Sequence, residues 1–413
     1  MSYPLETLSD VLKDSSRPAF LFGSTPPQAT TSEEKARATC AKFAARSAVL
    51  ATDGFIVYDI QDEEGRTELV RPFPFRKTMD ASTYASYFTP VSGKQCVVYK
   101  CVVEENMESF SNWLDTACNT HGHNAFTLVG APTSSRTYQG PSLLAAGRHL
   151  KQRGGADFGG VCIAERHTKK GNEDMNMMNK SKAGAEWFIT QGIFDAGPLI
   201  KLLNDYGALC RKEGSTPKKV VLTFAPCGRA KTMTFIKWLG MNVPQEVEQR
   251  ILDAENPVTE SVKILQGLLV TILENTGGCG VPLGLNVESL SIFKDEIEAS
   301  HVLFQTLQAS LLNSRGSPWS VRWFCVRRTL AYQSSAASAE SLMIVEQHAN
   351  ERGKTMSVDL SPQGKTSLIH AVQTNRVTGR DWGFTVLVSL AVGVVTGMMI
   401  QQNGARLPFG GKK

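Results

Sequence analysis

The feature that most constrains the fold is a regular alternation of short apolar runs with longer amphipathic stretches. The apolar runs have the length of strands and occupy residues 55–61, 95–103, 126–130, 160–164, 187–194, 220–225 and 281–287. Residues 69–75 supply an eighth candidate, although Pro72 and Pro74 make it a poor strand. Runs of nearly continuous apolar residues are typical of parallel strands that are buried on both faces.

Helical periodicity fills the segments between these runs, at residues 31–47, 107–120, 198–213, 231–239, 244–254, 258–275 and 288–313. The first begins at a capping box, Thr31-Ser32-Glu33-Glu34. About eight strand candidates that alternate with helices over roughly 300 residues predict an α/β fold, a (β/α)8 barrel of the TIM type.

The remaining segments flank this barrel, which we place at residues 31–330. Residues 1–30 are rich in Pro, Ser and Thr, and we expect them to form an extension over the surface. Residues 331–380 change to a polar composition typical of a linker, residues 381–401 form a candidate membrane helix, and residues 402–413 form a short basic tail.

The candidate membrane helix is the run WGFTVLVSLAVGVVTGMMI at residues 382–400, which carries no charged residue. At 1.5 Å per residue this run spans about 28 Å, close to the roughly 30 Å of a bilayer core. Its place near the end of the sequence favours a single-pass tail anchor over a buried helix of the barrel. We expect a mitochondrial membrane, with another cytosol-facing membrane as the alternative.

Composition excludes several classes of function. The formal net charge of +5 is spread along the chain without a basic tract, so we expect no nucleic-acid partner. The nine cysteines form no CxxC pair, which favours a reducing compartment and argues against a disulfide framework or a zinc site. P-loop, GxGxxG, GxSxG and HExxH motifs are also absent from the sequence.

Polar residues recur at the ends of the predicted strands, where barrels of this type place their working residues. The candidates are Asp59, Lys100, Glu165, His167, Thr190, Gln191, Asn286 and Glu288. Each alone has a structural explanation, such as an ion pair with a neighbouring strand end. Together they favour a ligand pocket at the carboxyl-terminal end of the barrel.

Gln191 is the most informative of these residues because it interrupts an otherwise apolar strand. A buried amide that lacks hydrogen-bond partners costs about 1–3 kcal/mol. Gln191 therefore either satisfies neighbouring backbone groups or points into a ligand pocket, and the sequence leaves both interpretations open.

Several motifs together resemble methylenetetrahydrofolate reductase. They are AERH at 164–167, NKSKAGA at 179–185, ITQGIFD at 189–195, FAPCG at 224–228 and WLGMNVP at 238–244. Their order and spacing agree with that family over roughly residues 155–255, and more weakly over about 95–310. ITQ with its upstream AGA is the most specific part.

The resemblance implies a barrel enzyme that reduces 5,10-methylenetetrahydrofolate to the 5-methyl form with hydride from NADH or NADPH. An acid must protonate the leaving amine nitrogen, after which the carbon receives the hydride. Asp59 corresponds to the family's proton donor at the end of the first strand, and Gln191 to the glutamine that binds the pterin. Thr190, Asn286 and Glu288 complete the expected substrate site.

The resemblance also implies cofactor contacts for Lys180, Glu165, His167 and Lys100, with departures from the family pattern. Asp59 replaces a glutamate, Lys100 replaces a histidine, and Ala131 follows Gly130 where the family has a flavin-contacting aspartate. We therefore expect NAD(P)H as the hydride source, without tightly bound FAD. The alternative is a catalytically inactive barrel that serves as an accessory subunit of a mitochondrial membrane complex.

Overall fold

The computed structural model describes residues 6–314, except for Glu64, Arg66, Ser134 and Ser135. Within this part of the chain, parallel strands pair in sequence order and close into a barrel. The strands are β1 (Phe20–Ser24), β2 (Gly54–Val57), β3 (Cys96–Cys101), β4 (Ala125–Val129), β5 (Asp157–Cys162), β6 (Ala185–Gly192), β7 (Lys219–Phe224) and β8 (Leu283–Val287). The predicted (β/α)8 barrel is confirmed.

Helices connect the strands and form the outer layer. They are α1 (Leu8–Lys13), α2 (Glu33–Ser47), α3 (Ala81–Ala85), α4 (Phe88–Ser92), α5 (Met107–Asp115), α6 (Leu143–Arg153), α7 (Ala164–Lys170), α8 (Glu173–Lys182), α9 (Ala196–Lys212), α10 (Ala230–Trp238), α11 (Gln245–Leu252), α12 (Pro257–Thr276) and α13 (Lys294–Ser314). A π-helical turn at Thr116–Thr120 continues α5.

Two apolar layers make up the core. The barrel interior is filled by one residue in two from each strand, including Leu21, Ile56, Val97, Trp187 and Val221. The alternate residues face outward and pack against the helices, because successive side chains of a strand point to opposite faces. This alternation decides which polar residues can reach the interior at the carboxyl-terminal end of the barrel, here called the barrel mouth.

The structure of residues 6–30 differs from the predicted surface extension. Residues 20–24 are the buried strand β1, and α1 lies against the amino-terminal ends of the strands, so neither segment is a surface extension. The backbone N–H of Leu8 donates to Gln95 before β3, and Ser9 and Lys13 both donate to Asp157 at the start of β5. The Pro- and Ser-rich composition conceals a five-residue apolar strand and a short helix with Leu8, Val11 and Leu12 on one face.

Other boundaries also differ from the prediction. Residues 69–75 form no strand, in keeping with Pro72 and Pro74, and β1 takes the eighth place. The last described helix begins at Lys294 instead of residue 288, which leaves Glu288 just beyond the end of β8.

The predicted linker, membrane span 382–400 and basic tail lie outside the described residues, as do residues 315–330 of the predicted barrel. Within the described part, no helix combines the length and apolar character needed to cross a bilayer.

Candidate functional site

Polar side chains from three strand ends form one hydrogen-bonded network inside the barrel. Asn286 on β8 donates its Nδ2 to the hydroxyl of Tyr58 at 2.9 Å and to Oγ1 of Thr223 on β7 at 3.3 Å. Tyr58 directly follows β2, packs on the interior cluster, and makes a further hydrogen bond with the side chain of Glu288. The structure therefore brings together Asn286 and Glu288, two predicted site residues, through a tyrosine.

Glu288 is the titratable carboxyl group of this network. Its backbone N–H donates to the carbonyl oxygen of Phe224 at 3.0 Å, which continues the ladder between β7 and β8. Burial raises the pKa of Glu288 to about 7, and the hydrogen bond with Tyr58 offsets part of that shift. Burial also raises the pKa of Tyr58 and of Tyr99 far above neutrality, so both hydroxyls keep their protons. A carboxyl with a pKa near neutrality is suited to giving and taking a proton.

Gly23 on β1 makes room for this arrangement. A Cβ atom built on Gly23 would lie 2.8 Å from Cβ of Glu288 and 3.0 Å from the hydroxyl of Tyr58. Any side chain at this position would therefore displace one of the two residues. The first strand contributes space to the mouth, and the residue after the eighth strand contributes the carboxyl group.

Only one of the two polar atoms in the side-chain amide of Gln191 is hydrogen-bonded within the protein. Its Nε2 donates to the carbonyl oxygen of Leu239 at 2.6 Å, whereas its Oε1 is buried without a hydrogen-bond partner. Oδ1 of Asn286 is likewise buried and unpartnered. Since an unpaired buried acceptor costs free energy, these two oxygens are suited to ligand N–H or O–H donors. Both interpretations of Gln191 hold in part, because one end satisfies the backbone and the other is open.

An aromatic contact links two sides of the mouth. The segment that follows β2 meets α10, which follows β7: the Arg71 guanidinium lies 4.4 Å from the ring centroid of Trp238, and Phe73 lies 5.6 Å from Phe235. Oγ1 of Thr67 donates to the carbonyl oxygen of Trp238 at 3.2 Å. Leu239, the acceptor for Gln191, is the residue after Trp238, so this contact supports the position of the glutamine.

Asp59 does not occupy the predicted place. It follows the second strand of the barrel, whereas β1 carries no carboxylate. Its Oδ2 accepts from the backbone N–H of Cys101 at 2.7 Å, and its Oδ1 accepts from Nε2 of Gln61 at 2.7 Å. Burial raises the pKa of Asp59, although the hydrogen bond from Cys101 counteracts this shift. Both oxygens are thus engaged: Oδ2 links the segment after β2 to β3, and Oδ1 makes a local bond within the segment after β2.

Thr190 and Lys100 face away from the interior. Oγ1 of Thr190 accepts from the backbone N–H of Thr223 at 2.9 Å, where the pairing of β6 with β7 shifts register. Lys100 follows the interior residue Tyr99, so its side chain points outward, and its Nζ lies 4.9 Å from the ring centroid of Trp113 on α5. Both side chains have structural roles in the described fold.

The other predicted cofactor residues bond to structural partners or lie at the rim of the mouth. Nζ of Lys180 on α8 donates to the carbonyl oxygen of Val161 at 2.7 Å, and Nε2 of His167 on α7 lies 2.8 Å from Oδ2 of Asp205 on α9. Glu165 is at the rim, where it accepts weakly from the backbone N–H of Asn242 at 3.5 Å, and burial raises its pKa.

These positions do not fit the flavin site that the resemblance implies. Lys100 points away from the interior, Lys180 bonds to the carbonyl oxygen of Val161, and Ala131 follows β4 where the family has an acid. Lys100, Lys180 and Ala131 therefore do not supply the flavin contacts that the family pattern places at these three positions.

Sequence reasoning missed Tyr58 and Gly23. In FIVYDIQ, the charged positions favoured the face that carries Val57 and Asp59, but the interior face carries Ile56 and Tyr58. The signal for Tyr58 was its alternation with Ile56 in an apolar run. Gly23 had no such signal, because its neighbour Glu288 is distant in the sequence.

Comparisons with known proteins show similarity to solved structures. No protein-family model matches the chain, and none of the curated proteins matches it. Among solved structures, an uncharacterized protein from Clostridium thermocellum that binds two copies of 5-methyl-5,6,7,8-tetrahydrofolic acid is 27% identical, with a TM-score of 0.59. The match covers 70% of this chain and 94% of that protein.

Two further solved structures are much less similar. An F420-dependent secondary alcohol dehydrogenase in complex with an F420-acetone adduct is 7% identical over 70% of this chain and 99% of that one, with a TM-score of 0.39. A 2,3-dimethylmalate lyase of the PEP mutase/isocitrate lyase superfamily is 11% identical over 84% of this chain and 100% of that one, with a TM-score of 0.38.

Proposed function

We propose that this barrel binds a reduced folate, with 5-methyltetrahydrofolate as the first ligand to test. The observation that carries the proposal is the similarity to the Clostridium thermocellum protein, which binds that compound and is matched over 94% of its length. The ITQ motif at residues 189–191 supports the same ligand class, because the resemblance assigns Gln191 to the pterin ring.

The geometry of Gln191 is suited to this role. A pterin ring presents N–H donors beside a carbonyl acceptor, and the open Oε1 of Gln191 can accept from such a donor. Its Nε2 is held by the carbonyl oxygen of Leu239, which fixes the direction of the amide before a ligand arrives. The amide therefore contributes a preorganised acceptor to the mouth.

The experiment is a titration of the full chain with 5-methyltetrahydrofolate by isothermal calorimetry. We expect Gln191→Ala to weaken binding by about 1–3 kcal/mol, roughly 5- to 150-fold, because the ligand donor loses its acceptor. Gln266→Ala is the matched control, since Gln266 on α12 bonds to Ser310 on α13, in the outer helical layer. Equal affinities for the wild type and both variants would remove Gln191 from the site, and a wild type that binds no reduced folate would contradict the proposal itself.

We infer reduction of 5,10-methylenetetrahydrofolate as the finer function, with NADH or NADPH as the hydride-donating substrate. The specific observation in its favour is the carboxyl group of Glu288 beside Tyr58 and Asn286 in the barrel mouth. Burial raises the pKa of this carboxyl group to about 7, which suits it to protonating a leaving amine. An NAD(P)H oxidation assay with the methylene substrate tests it, together with the absorbance spectrum of the purified protein for FAD. Folate binding without turnover would instead support the accessory-subunit alternative.

A further inference from the structure

We propose that Glu288 is the proton donor of the barrel mouth: Tyr58 holds one of its carboxyl oxygens, and the other presents a proton to the bound folate. Glu288, just beyond the end of β8, would thus take the role that the family resemblance implies for Asp59. The proposal rests on the proposed folate binding, and it names the group that would supply a hydrogen bond or a proton to a nitrogen of that ligand.

The direction of the hydrogen bonds supports this assignment. Nδ2 of Asn286 can only donate, so the hydroxyl oxygen of Tyr58 accepts from it. The single proton of that hydroxyl is then available for Glu288, its second side-chain partner. Tyr58 therefore donates to one carboxyl oxygen of Glu288. A proton carried by Glu288 lies on its other carboxyl oxygen.

The surroundings of Glu288 favour the neutral acid. Tyr58 and Tyr99 are titratable neighbours of Glu288, and neither carries a charge at neutral pH. Gly23 contributes no side chain, and Thr223 and Asn286 are uncharged. Desolvation of the carboxylate is therefore opposed only by the hydrogen bond with Tyr58. Asp59 differs because backbone and amide donors already occupy both of its oxygens.

The decisive measurement is the pH dependence of binding. If the neutral acid donates to the ligand, affinity is highest below the pKa of Glu288 and falls as the pH rises through it. With a pKa of about 7, the dissociation constant for 5-methyltetrahydrofolate should rise about 30-fold between pH 6 and pH 8.5. The full chain is titrated across that range, and each variant is compared with the wild type at the same pH so that ionisation of the ligand cancels.

Three variants identify the group. Glu288→Gln keeps a donor but cannot titrate, so its affinity should change less than about 3-fold over the same range. Tyr58→Phe removes the hydrogen bond that lowers the pKa of Glu288, so the midpoint should move to higher pH. Glu298→Gln is the matched control, because Glu298 is 64% exposed on α13 and should leave the wild-type profile unchanged.

The outcomes separate this inference from the proposed function. A wild type that binds folate with no pH dependence, or a Glu288→Gln variant that keeps the wild-type dependence, overturns the role of Glu288 and leaves folate binding intact. Absence of folate binding at every pH overturns both. A carboxyl carbon NMR titration of the free protein adds a test independent of the ligand: a Glu288 midpoint near the ordinary 4.5 instead of about 7 also overturns the role.

Discussion

The geometry of the barrel mouth requires a residue without a side chain at Gly23. The positions of Glu288 and Tyr58 both require this space, since a Cβ atom at residue 23 would lie 2.8 Å from the first and 3.0 Å from the second. Contacts below 3.0 Å between such atoms force one partner to move. The smallest residue on β1 thus controls the geometry of the carboxyl group that directly follows β8.

We expect Gly23→Ala to displace Glu288 or Tyr58 and to destabilise the fold by about 1–3 kcal/mol through overpacking. Urea denaturation at neutral pH measures the free energy of unfolding, and calorimetry measures the loss of folate affinity. Gly267→Ala on α12 is the control, because an added Cβ there meets no atom within 4 Å. A helical glycine replaced by alanine should gain up to about 1 kcal/mol. Equal stability of Gly23→Ala and the wild type would contradict the packing argument.

Helix α1 is the element that closes the amino-terminal end of the barrel. Leu8, Val11 and Leu12 enter the same apolar cluster as the interior residues of the strands. The carbonyl oxygen of Val11 accepts from Nζ of Lys219, and Asp157 accepts from Lys13 at 2.6 Å. A short helix alone is unstable in water, so these tertiary contacts hold α1 in place.

Leu12→Ala tests whether α1 is part of the core. Leu12 is completely buried, so its truncation should lower the free energy of unfolding by about 2–5 kcal/mol. The same truncation at Leu69, which is 48% exposed, should change stability by less than about 0.5 kcal/mol. Urea denaturation followed by tryptophan fluorescence compares the two variants. If both behaved alike, α1 would be a loosely attached extension, as the sequence had predicted.

For the whole molecule, the described residues already contain a closed barrel with apolar layers on both faces of the sheet. Strand pairing is complete from β1 to β8, and α13 packs against α12 in the outer layer. The predicted tail anchor at residues 382–400 lies beyond this part, and we propose that it attaches the barrel to a mitochondrial or other cytosol-facing membrane. The apolar length of that run is the ground for the proposal.

Removal of residues from Arg380 onward should therefore yield a barrel that melts cooperatively and stays in solution. The full chain should co-sediment with lipid vesicles, and the truncated chain should not. Thermal unfolding by circular dichroism and vesicle sedimentation measure the two properties. Aggregation of the truncated chain, or loss of its cooperative transition, would show that the apolar run belongs to the globular fold.

The local sequence was sufficient for most of the elements because hydrophobic periodicity is a short-range property. The short apolar run at residues 187–194, bounded by Gly184 and Asp195, predicts a buried strand, and the stripe containing Leu265 and Leu269 predicts a helix. Gln191 could be singled out in the same way, as an amide inside an apolar run. β1 was missed since its five residues follow a polar stretch, and only pairing with β2 and β8 makes them a strand.

By itself the sequence determined the alternation of strands and helices, and with it the barrel. Tertiary structure alone decided which face of each strand looks inward, because an error of one residue in alternation exchanges the two faces. In the folded barrel the side chain of Lys100 points outward to Trp113, and the side chain of Tyr58 packs in the barrel interior. Tertiary structure also set Glu288 beside Tyr58, a contact that depends on closure of the barrel between β8 and β1 and on the absence of a side chain at Gly23.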